Sequence, residues 1–258
     1  MSGSLKFASY DYSLVQQIPE VKLRVELLRE RLDHLSCSGH LRILEVGLGS
    51  GDVTLLLARR FSDVTCIEPD QRTCELVLTR LETEHLGPVK LIRSPIEEAE
   101  FGQEGYHHIV MSGTLEHLKD PVTVLRRVIP HLQAGGVIHV LVNLAGSLHR
   151  RLGVTMGLIS RVEELSESDV RLGHYRVYTI AELREHLKLG GLRVTHEQPF
   201  YLKPLPTSLL TPLPMEIHQG LDLLGRQFPE FASYVYVEAV AEWGSRSALN
   251  NGNDSSTG

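Results

Sequence analysis

Three glycines stand at alternate positions directly after a short apolar run. The run Ile43–Val46 has the composition of a buried parallel strand. Gly47, Gly49 and Gly51 follow it. Asp52 then opens an apolar stretch with the character of a helix. Because glycine has no Cβ, a ligand can approach such a turn closely, and the helix start directs amide donors toward the same place. The spacing therefore predicts a nucleotide-binding turn.

An acidic side chain follows this turn at the distance that a ribose requires. The segment 63–68, DVTCIE, has the composition of a second buried strand, and Glu68 is its last residue. In nucleotide-binding α/β domains an acid about 20 residues after the glycine turn accepts hydrogen bonds from the ribose hydroxyls. The glycine turn alone is weak evidence for a nucleotide. Together with Glu68 at this spacing it becomes a specific prediction.

The residue at position 52 indicates which class of nucleotide the turn can bind. A dinucleotide turn has the pattern Gly-x-Gly-x-x-Gly, whose third glycine would fall where this chain has Asp52. A carboxylate beside a pyrophosphate would be repelled, which disfavours NAD. The Gly-Lys-Ser/Thr of a P-loop is also absent. A ligand with a ribose, no phosphate and a positive centre would tolerate both Glu45 and Asp52. S-adenosylmethionine has this chemistry.

The rest of the chain alternates apolar strand-like runs with helical stretches as far as residue 143. This alternation predicts an α/β fold with a parallel sheet covered on both faces. We expect a single domain over residues 1–243, with an N-terminal arm and helix at 1–39 and a cofactor-binding core at 40–143. Two long inserts, 144–178 and 201–229, are expected to form a lid and substrate-binding parts, because inserts of this length are usually functional. The low-complexity tail 244–258 is expected to be disordered.

The two segments described above and three further ones together carry a resemblance to a known family. EVGLGSG and IEPD look like the cofactor motifs of class I S-adenosylmethionine-dependent methyltransferases. SPIEEAEF, SGTLEHLKDP and LQAGGVIHVLVN resemble the adenine-side segment, the segment after the fourth strand and the fifth strand of the ubiquinone-biosynthesis-like, small-molecule branch. The resemblance covers roughly residues 40–200. It implies a three-layer Rossmann-like seven-stranded sheet, mostly parallel with an antiparallel last strand, with helical lid inserts.

The resemblance also implies a cofactor site. S-adenosylmethionine would bind at the glycine turn, with its adenine packed on Ile96 and its amino group near Glu97 or neighbouring backbone. The residues expected to contact the cofactor are Glu45, Gly47, Gly49, Gly51, Glu68, Pro69, Pro95, Ile96, Glu97 and Ser112.

Three histidines are candidate catalytic bases because they follow the expected strands. Transfer of a methyl group to a hydroxyl benefits from a general base, worth roughly 10²–10⁴ in rate. His117 follows the fourth strand, His149 follows the fifth, and His174 precedes a later helix. For each of the three histidines, the sequence supports a structural or surface role as well as it supports a catalytic one.

The side chains expected at the substrate lie in the arm and in the first insert. Arginine in the insert could pair with a carboxylate or phosphate of the substrate, or could equally form a solvated surface. The aromatic residues of the arm could cover a pocket or pack on the domain. The candidate substrate-binding residues are Tyr10, Tyr12, Asn143, Arg150, Arg176 and Tyr178.

No metal site is expected. Some members of the family that this chain resembles carry Glu-x-x-Glu-His, a magnesium-binding pattern, and its last two residues correspond to Glu116 and His117 here. Here the first position of that pattern is Gly113, so one carboxylate is missing. One carboxylate and one histidine would hold a hard divalent ion weakly.

Composition limits the partners and the compartment. The chain has 258 residues, a net charge of -6 and three cysteines without a Cys-x-x-Cys pair. We therefore expect no nucleic-acid partner, no membrane span and a reducing, cytoplasmic location, with a homodimer left open.

The leading hypothesis is an S-adenosylmethionine-dependent methyltransferase of a small metabolite that acts on oxygen with a histidine base. One alternative is an N-methyltransferase of a small amine. Another is a non-catalytic cofactor-binding subunit that uses 201–229 as its interface. An NAD-dependent oxidoreductase is disfavoured by Asp52.

Overall fold

A computed structural model describes residues 18–35, 40–102 and 105–242 of the chain, so Tyr10 and Tyr12 lie outside the described residues. A seven-stranded sheet forms the centre of this structure. The strands are β1 (Arg42–Val46), β2 (Asp63–Ile67), β3 (Lys90–Ile92), β4 (Tyr106–Ser112), β5 (Leu132–Asn143), β6 (Leu192–Leu202) and β7 (Ala232–Ala241). Their order is β3-β2-β1-β4-β5-β7-β6. Only β7 runs antiparallel to its neighbours among these strands. The predicted fold class is confirmed.

Helices cover both faces of the sheet. They are α1 (Pro19–Leu35), α2 (Asp52–Arg60), α3 (Gln71–Thr83), α4 (Pro121–Val128), α5 (Leu148–Thr155), α6 (Glu167–Arg171), α7 (Ile180–Gly190), α8 (Thr207–Leu210) and α9 (Met215–Gln227). Side chains alternate between the two faces along each strand. In β1, Ile43 packs into the core beneath α1, α2 and α3, whereas Leu44 and Val46 pack into the core beneath α4 and α7. None of the described helices is long and apolar enough to span a membrane.

The fifth strand begins earlier than the sequence suggests. The Ala-Gly-Gly turn is expected to separate a helix ending at Leu132 from a strand starting at Val137, but β5 already starts at Leu132. The register shifts between Tyr106 and His108 on β4, and β5 carries the extra residues. A Cβ on Gly136 would lie 3.0 Å from the carbonyl oxygen of His107. The glycines therefore allow close strand pairing at an irregularity rather than ending the strand.

The second insert is not a lid along its whole length. Its longest helix, α9, packs against β6 and α1 as part of the helical layer. A Cβ on Gly225 would lie 2.3 Å from the backbone nitrogen of Tyr201, so the helix and strand approach each other very closely. The hydroxyl of Tyr201 lies 2.7 Å from Nδ1 of His218, whose Nε2 lies 3.1 Å from the carbonyl oxygen of Leu210. These contacts fix α9 on the sheet.

A buried chain of hydrogen bonds crosses the sheet toward α1. His108 Nδ1 lies 2.9 Å from His139 Nε2, and His139 Nδ1 lies 2.6 Å from the hydroxyl of Tyr236. That hydroxyl donates to Glu238, which also accepts from Arg31. Burial lowers the pKa of His108 to about 4 and the pKa of His139 well below its usual value. Both imidazoles are therefore neutral in the folded protein at pH 7.

This buried chain of hydrogen bonds predicts that the folded protein loses stability in mild acid. An unfolded histidine has a pKa near ~6.5, so below that pH the unfolded state binds protons that the folded state excludes. The stabilisation present above pH ~6.5 should fall as the pH drops toward ~4, by up to about 1.4 kcal/mol per pH unit for each histidine. Urea unfolding at pH 7 and at pH 5 measures the difference. His108→Gln should reduce it, and His34→Gln on the exposed surface of α1 should not. Equal stability at the two pH values would contradict the prediction.

Candidate active site

A cavity of about 1370 Å³ opens at the carboxyl ends of β1, β2 and β4. Its wall includes the glycine turn, the end of α1, the first insert and residues 203–208 of the second insert. Ligand pockets usually measure about 300–1000 Å³. The volume therefore suffices for two small molecules side by side, as a group-transfer reaction requires.

The glycine turn forms one wall of the cavity. Gly47 and Gly49 both line it and have left-handed backbone angles, with φ of 80° and 50°. The amide of Gly47 donates to the carbonyl oxygen of Ile67 at 2.9 Å, which fixes the turn to the end of β2. A Cβ on Gly47 would lie 3.2 Å from Oγ1 of Thr114, and this hydroxyl donates to the carbonyl oxygen of Val46. The sequence therefore needs glycine at this position.

Gly51, the third glycine of the turn, lies beside the cavity and not on its wall. A Cβ on it would lie 2.8 Å from Cγ2 of Val77. Its φ of 84° places it in the left-handed region, where it precedes α2 as the cap residue. Gly51 thus allows α2 and α3 to approach each other, whereas Gly47 and Gly49 line the cavity.

Glu68 is fixed beside the glycine turn by two backbone amides. Leu48 donates to one carboxylate oxygen at 3.1 Å, and Asp70 donates to the other at 2.9 Å. Burial raises the pKa of Glu68, and the two amide donors oppose that shift. Each carboxylate oxygen can accept a further hydrogen bond from a ligand. Glu68 and Pro69 both line the cavity.

The charges under the glycine turn differ from the sequence-based expectation. Burial raises the pKa of Glu45 to about 8, and Cys66 Sγ donates to its carboxyl at 3.6 Å. Asp52 pairs with Arg80 at 2.9 Å, and Arg80 also donates to the carbonyl oxygen of Ser50. The charge of Asp52 is thus compensated, so the repulsion argued against NAD is weaker than the sequence suggests.

The adenine-side residues lie where the sequence places them. Pro95, Ile96 and Glu97 line the cavity, and Ser112 lines it at the end of β4. Ile96 is buried, and Arg127 Nε donates to its carbonyl oxygen at 3.2 Å. This bond from α4 stabilises the backbone of the segment.

All three candidate histidines line the cavity, in two different environments. The ring of His117 lies edge-on to that of His174, with 4.6 Å between centroids. Burial lowers the pKa of His117, although its ring also donates to backbone at Leu172. His149 lies apart from this pair, with Nδ1 at 3.1 Å from the hydroxyl of Ser147. Burial and the neighbouring charges of Lys203 and Arg150 lower the pKa of His149 to about 3.

Asp169 and His174 both lie in the first insert, and a hydrogen bond joins their side chains. Oδ1 of Asp169 lies 3.2 Å from His174 Nδ1, and Ser166 donates to Oδ2 of Asp169 through the amide and the hydroxyl. Burial raises the pKa of Asp169, but the bonds from His174, Ser166 and Arg150 outweigh it and hold the pKa well below the usual value. The carboxylate is therefore charged, and it orients His174 with Nδ1 as the donor.

Arg150 is a structural arginine rather than a free cation for the substrate. It lines the cavity but is 7% exposed. Its guanidinium donates to Asp169 at 3.1 Å, to the carbonyl oxygen of Val162 at 2.7 Å and to that of Glu164. These bonds fold the first insert upon itself. The donors that make these bonds are therefore engaged within the insert and are not free for a substrate.

Two other predicted substrate residues lie away from the cavity wall. Arg176 donates to the carbonyl oxygens of Leu118 and Lys119 at 2.8 and 3.0 Å. Tyr178 is fully buried, its hydroxyl lies 3.2 Å from His186 Nδ1, and burial raises its pKa. Both side chains stabilise the junction of the insert with the core. Asn143, in contrast, lines the cavity.

The sequence gives Glu116 only as a possible metal ligand and does not indicate the other residues at the far end of the cavity. Glu20 on α1 accepts from the hydroxyl of Tyr234 at 3.2 Å and pairs with Lys203 at 3.4 Å. Glu116 and Ser233 also line the cavity. These side chains belong to four distant segments, so only the fold brings them together. Within the described residues, no group of three or more His, Cys, Asp or Glu is placed to hold a metal ion.

Comparison with known sequences agrees with this geometry. Residues 43–136 match the family described as "Methyltransferase domain". An "uncharacterized methyltransferase" of Mycobacterium tuberculosis is 28% identical over 162 residues, which are 61% of this chain and 81% of that protein. A ubiquinone biosynthesis O-methyltransferase of Acinetobacter baylyi is 27% identical over 96 residues, 37% of this chain and 40% of its own.

Solved structures show the same fold. Magnesium protoporphyrin IX methyltransferase from Synechocystis, with bound S-adenosylhomocysteine, superposes with a TM-score of 0.62 at 12% identity, over 93% of this chain and 90% of that one. The N-methyltransferase NodS from Bradyrhizobium japonicum, also with S-adenosylhomocysteine, gives 0.56 at 15% identity, over 92% and 95%. Residues 43–136 are therefore similar to methyltransferase domains, as the motifs predict, and the fold is the one that these solved structures share.

The two roles of glycine at this turn can be separated by measurement. Gly51→Ala should lower the free energy of unfolding by about 1–2 kcal/mol for the left-handed backbone and by about 1–3 kcal/mol more for the overlap with Val77. Gly135 has a φ of 78° with open space around it. Gly135→Ala should therefore show the backbone cost alone. Urea unfolding of both variants tests this, and equal losses would contradict the close packing.

Proposed function

We propose that this enzyme transfers a methyl group from S-adenosylmethionine to a hydroxyl oxygen of a small molecule. The observation that carries the proposal is the Glu68 carboxylate, fixed by Leu48 and Asp70 beside a glycine turn that lines a cavity. Both carboxylate oxygens keep acceptor capacity for the two hydroxyls of a ribose. The cavity lies under a lid insert and not on a basic surface, which favours a small molecule over nucleic acid.

The residues present fit this cofactor. Gly47 and Gly49 line the cavity without a side chain, Glu68 would bind the ribose, and Ile96 would pack against the adenine with Glu97 at its edge. S-adenosylmethionine, when bound, supplies the methyl group on a sulfonium that departs as S-adenosylhomocysteine. The protein contributes alignment and removal of the proton from the acceptor.

The pair of Asp169 and His174 supports the assignment of the base. Asp169 accepts the Nδ1 proton of His174, which leaves Nε2 as the acceptor nitrogen. As the hydroxyl oxygen bonds to the methyl carbon, Nε2 takes the hydroxyl proton, and the carbon–sulfur electron pair stays on sulfur. His149 is less suited to this role because its pKa near 3 makes it a weak base. His117 would support the ring of His174.

Binding of S-adenosylhomocysteine tests the cofactor site without any acceptor. Two hydrogen bonds to a charged group contribute about 1.5–3 kcal/mol each, so Glu68→Ala should weaken binding by roughly 100-fold or more. Glu68→Gln keeps one acceptor oxygen, so its affinity for S-adenosylhomocysteine should lie between those of the wild type and Glu68→Ala. Glu75→Ala on the exposed side of α3 is the control. Isothermal titration calorimetry measures all four proteins, and unchanged affinity in Glu68→Ala would contradict the assignment.

Turnover with a hydroxyl acceptor tests the base. His174→Gln should lower kcat by about 10²–10⁴ with little change in the KM for S-adenosylmethionine. Its activity should recover at high pH, where the acceptor loses its proton unaided. Asp169→Asn should lower kcat as well, because the amide cannot hold the same tautomer. A larger loss in His149→Gln than in His174→Gln would assign the base to His149 instead.

A further inference from the structure

The buried face of α9 is largely polar or small rather than apolar. His218 is 1% exposed and Asp222 is 6% exposed, and Gly225 closely approaches the backbone of Tyr201. Leu221 adds a partly buried apolar contact with the core. A surface helix normally turns its apolar residues to the core and its polar residues to solvent. In α9 this arrangement is reversed over much of the helix.

The exposed side of α9 carries large apolar side chains in one stripe. Ile217 is 49% exposed, Leu224 is 40% exposed and Phe228 is 46% exposed. With 3.6 residues per turn, positions 217, 224 and 228 lie within about 40° of one another around the helix axis. Leu221 lies at the edge of this stripe. Positions 217, 221, 224 and 228 therefore have the 4-3-4 spacing by which one helix packs against another.

The apolar positions are symmetric about the middle of the helix. Ile217 and Leu224 lie equally far along the chain from the point between residues 220 and 221. Leu213 and Phe228, just outside the two ends of the helix, are also equally far from it. A Cβ on Gly220 would meet nothing within 4 Å, so the middle of the helix is open to a close neighbour. An interface between two identical chains requires such self-complementarity, because residue i of each copy contacts residue j of the other.

We propose that two copies of this chain associate through α9, with the two helices antiparallel about a two-fold axis near Gly220. Ile217 of each copy then packs against Leu224 of the second copy. The same packing brings Glu216, in the first turn of one helix, near the last turn of the second copy, where the side chain of Arg226 is 37% exposed. A parallel pair would instead place each Glu216 beside its counterpart. The helix is about 20 Å long at 1.5 Å per residue, and so short a contact predicts a reversible dimer.

A lipid surface matches this face less well than a second copy does. Helices that lie on membranes carry Lys and Arg beside their apolar side, and these attract anionic lipids. The charged residues of α9 are Glu216, Asp222 and Arg226. Arg226 pairs with Asp222 within the chain at 2.7 Å. The helix therefore has no excess of positive charge to hold it on an anionic membrane.

Sedimentation velocity of the full chain over a range of concentrations tests the association. The wild type should shift from monomer toward dimer as the concentration rises. Leu224→Glu should raise the dissociation constant of the dimer roughly tenfold or more, because it removes a buried apolar contact. Leu189→Glu is the matched control, since Leu189 is 49% exposed on α7, which packs against α4 on the opposite face of the sheet. The control should leave the dissociation constant unchanged. A wild type that stays monomeric, or equal losses in the two variants, would overturn the proposal.

A charge pair tests the antiparallel register. Ile217→Lys alone should weaken association, and the double variant Ile217→Lys/Leu224→Glu should restore it, because each new lysine then faces a new glutamate of the second copy. A Tm near that of the wild type shows that each variant is folded. A folded double variant that associates no better than the single variants would overturn the proposal. So would a monomeric wild type that co-sediments with vesicles of phosphatidylglycerol and phosphatidylcholine when Leu224→Glu does not, since this result would assign a lipid surface.

Discussion

The Glu68 carboxylate, with one backbone amide on each oxygen, is the interaction on which the site depends. Leu48 belongs to the glycine turn after β1 and Asp70 begins the helix after β2, so the carboxylate joins two strand ends. The Gly47 amide on the carbonyl oxygen of Ile67 joins the same two ends. Together these bonds set the position of the acceptor oxygens relative to the turn before any ligand arrives, which reduces the entropy lost on binding.

Asp169 has the corresponding role at the acceptor end of the cavity. It accepts hydrogen bonds from His174, Ser166 and Arg150, which come from three parts of the first insert. A charged carboxylate with several donors is a rigid centre, because each bond restrains the others. The insert therefore carries its own scaffold, and the position of His174 depends on it.

Local sequence determines what could be predicted and what could not. The glycine turn after β1, the position of Glu68 at the end of β2 and the alternation of strands and helices follow from patterns within short segments, and the structure has all three. The roles of Gly51, Arg150 and Arg176 depend on which distant atoms meet them. Val77 meets Gly51, and backbone carbonyls take most donors of both arginines. The pairing of distant segments is not visible as a motif, which is why Ser233 was not found in the sequence and Glu116 was considered only as a metal ligand.

A crystal structure of the complex with S-adenosylhomocysteine tests the central claim most directly. The account predicts both ribose hydroxyls within about 3 Å of the Glu68 carboxylate oxygens, with the adenine against Ile96 and the sulfur toward His174. A ribose bound elsewhere, with Glu68 contacting only Leu48 and Asp70, would contradict it.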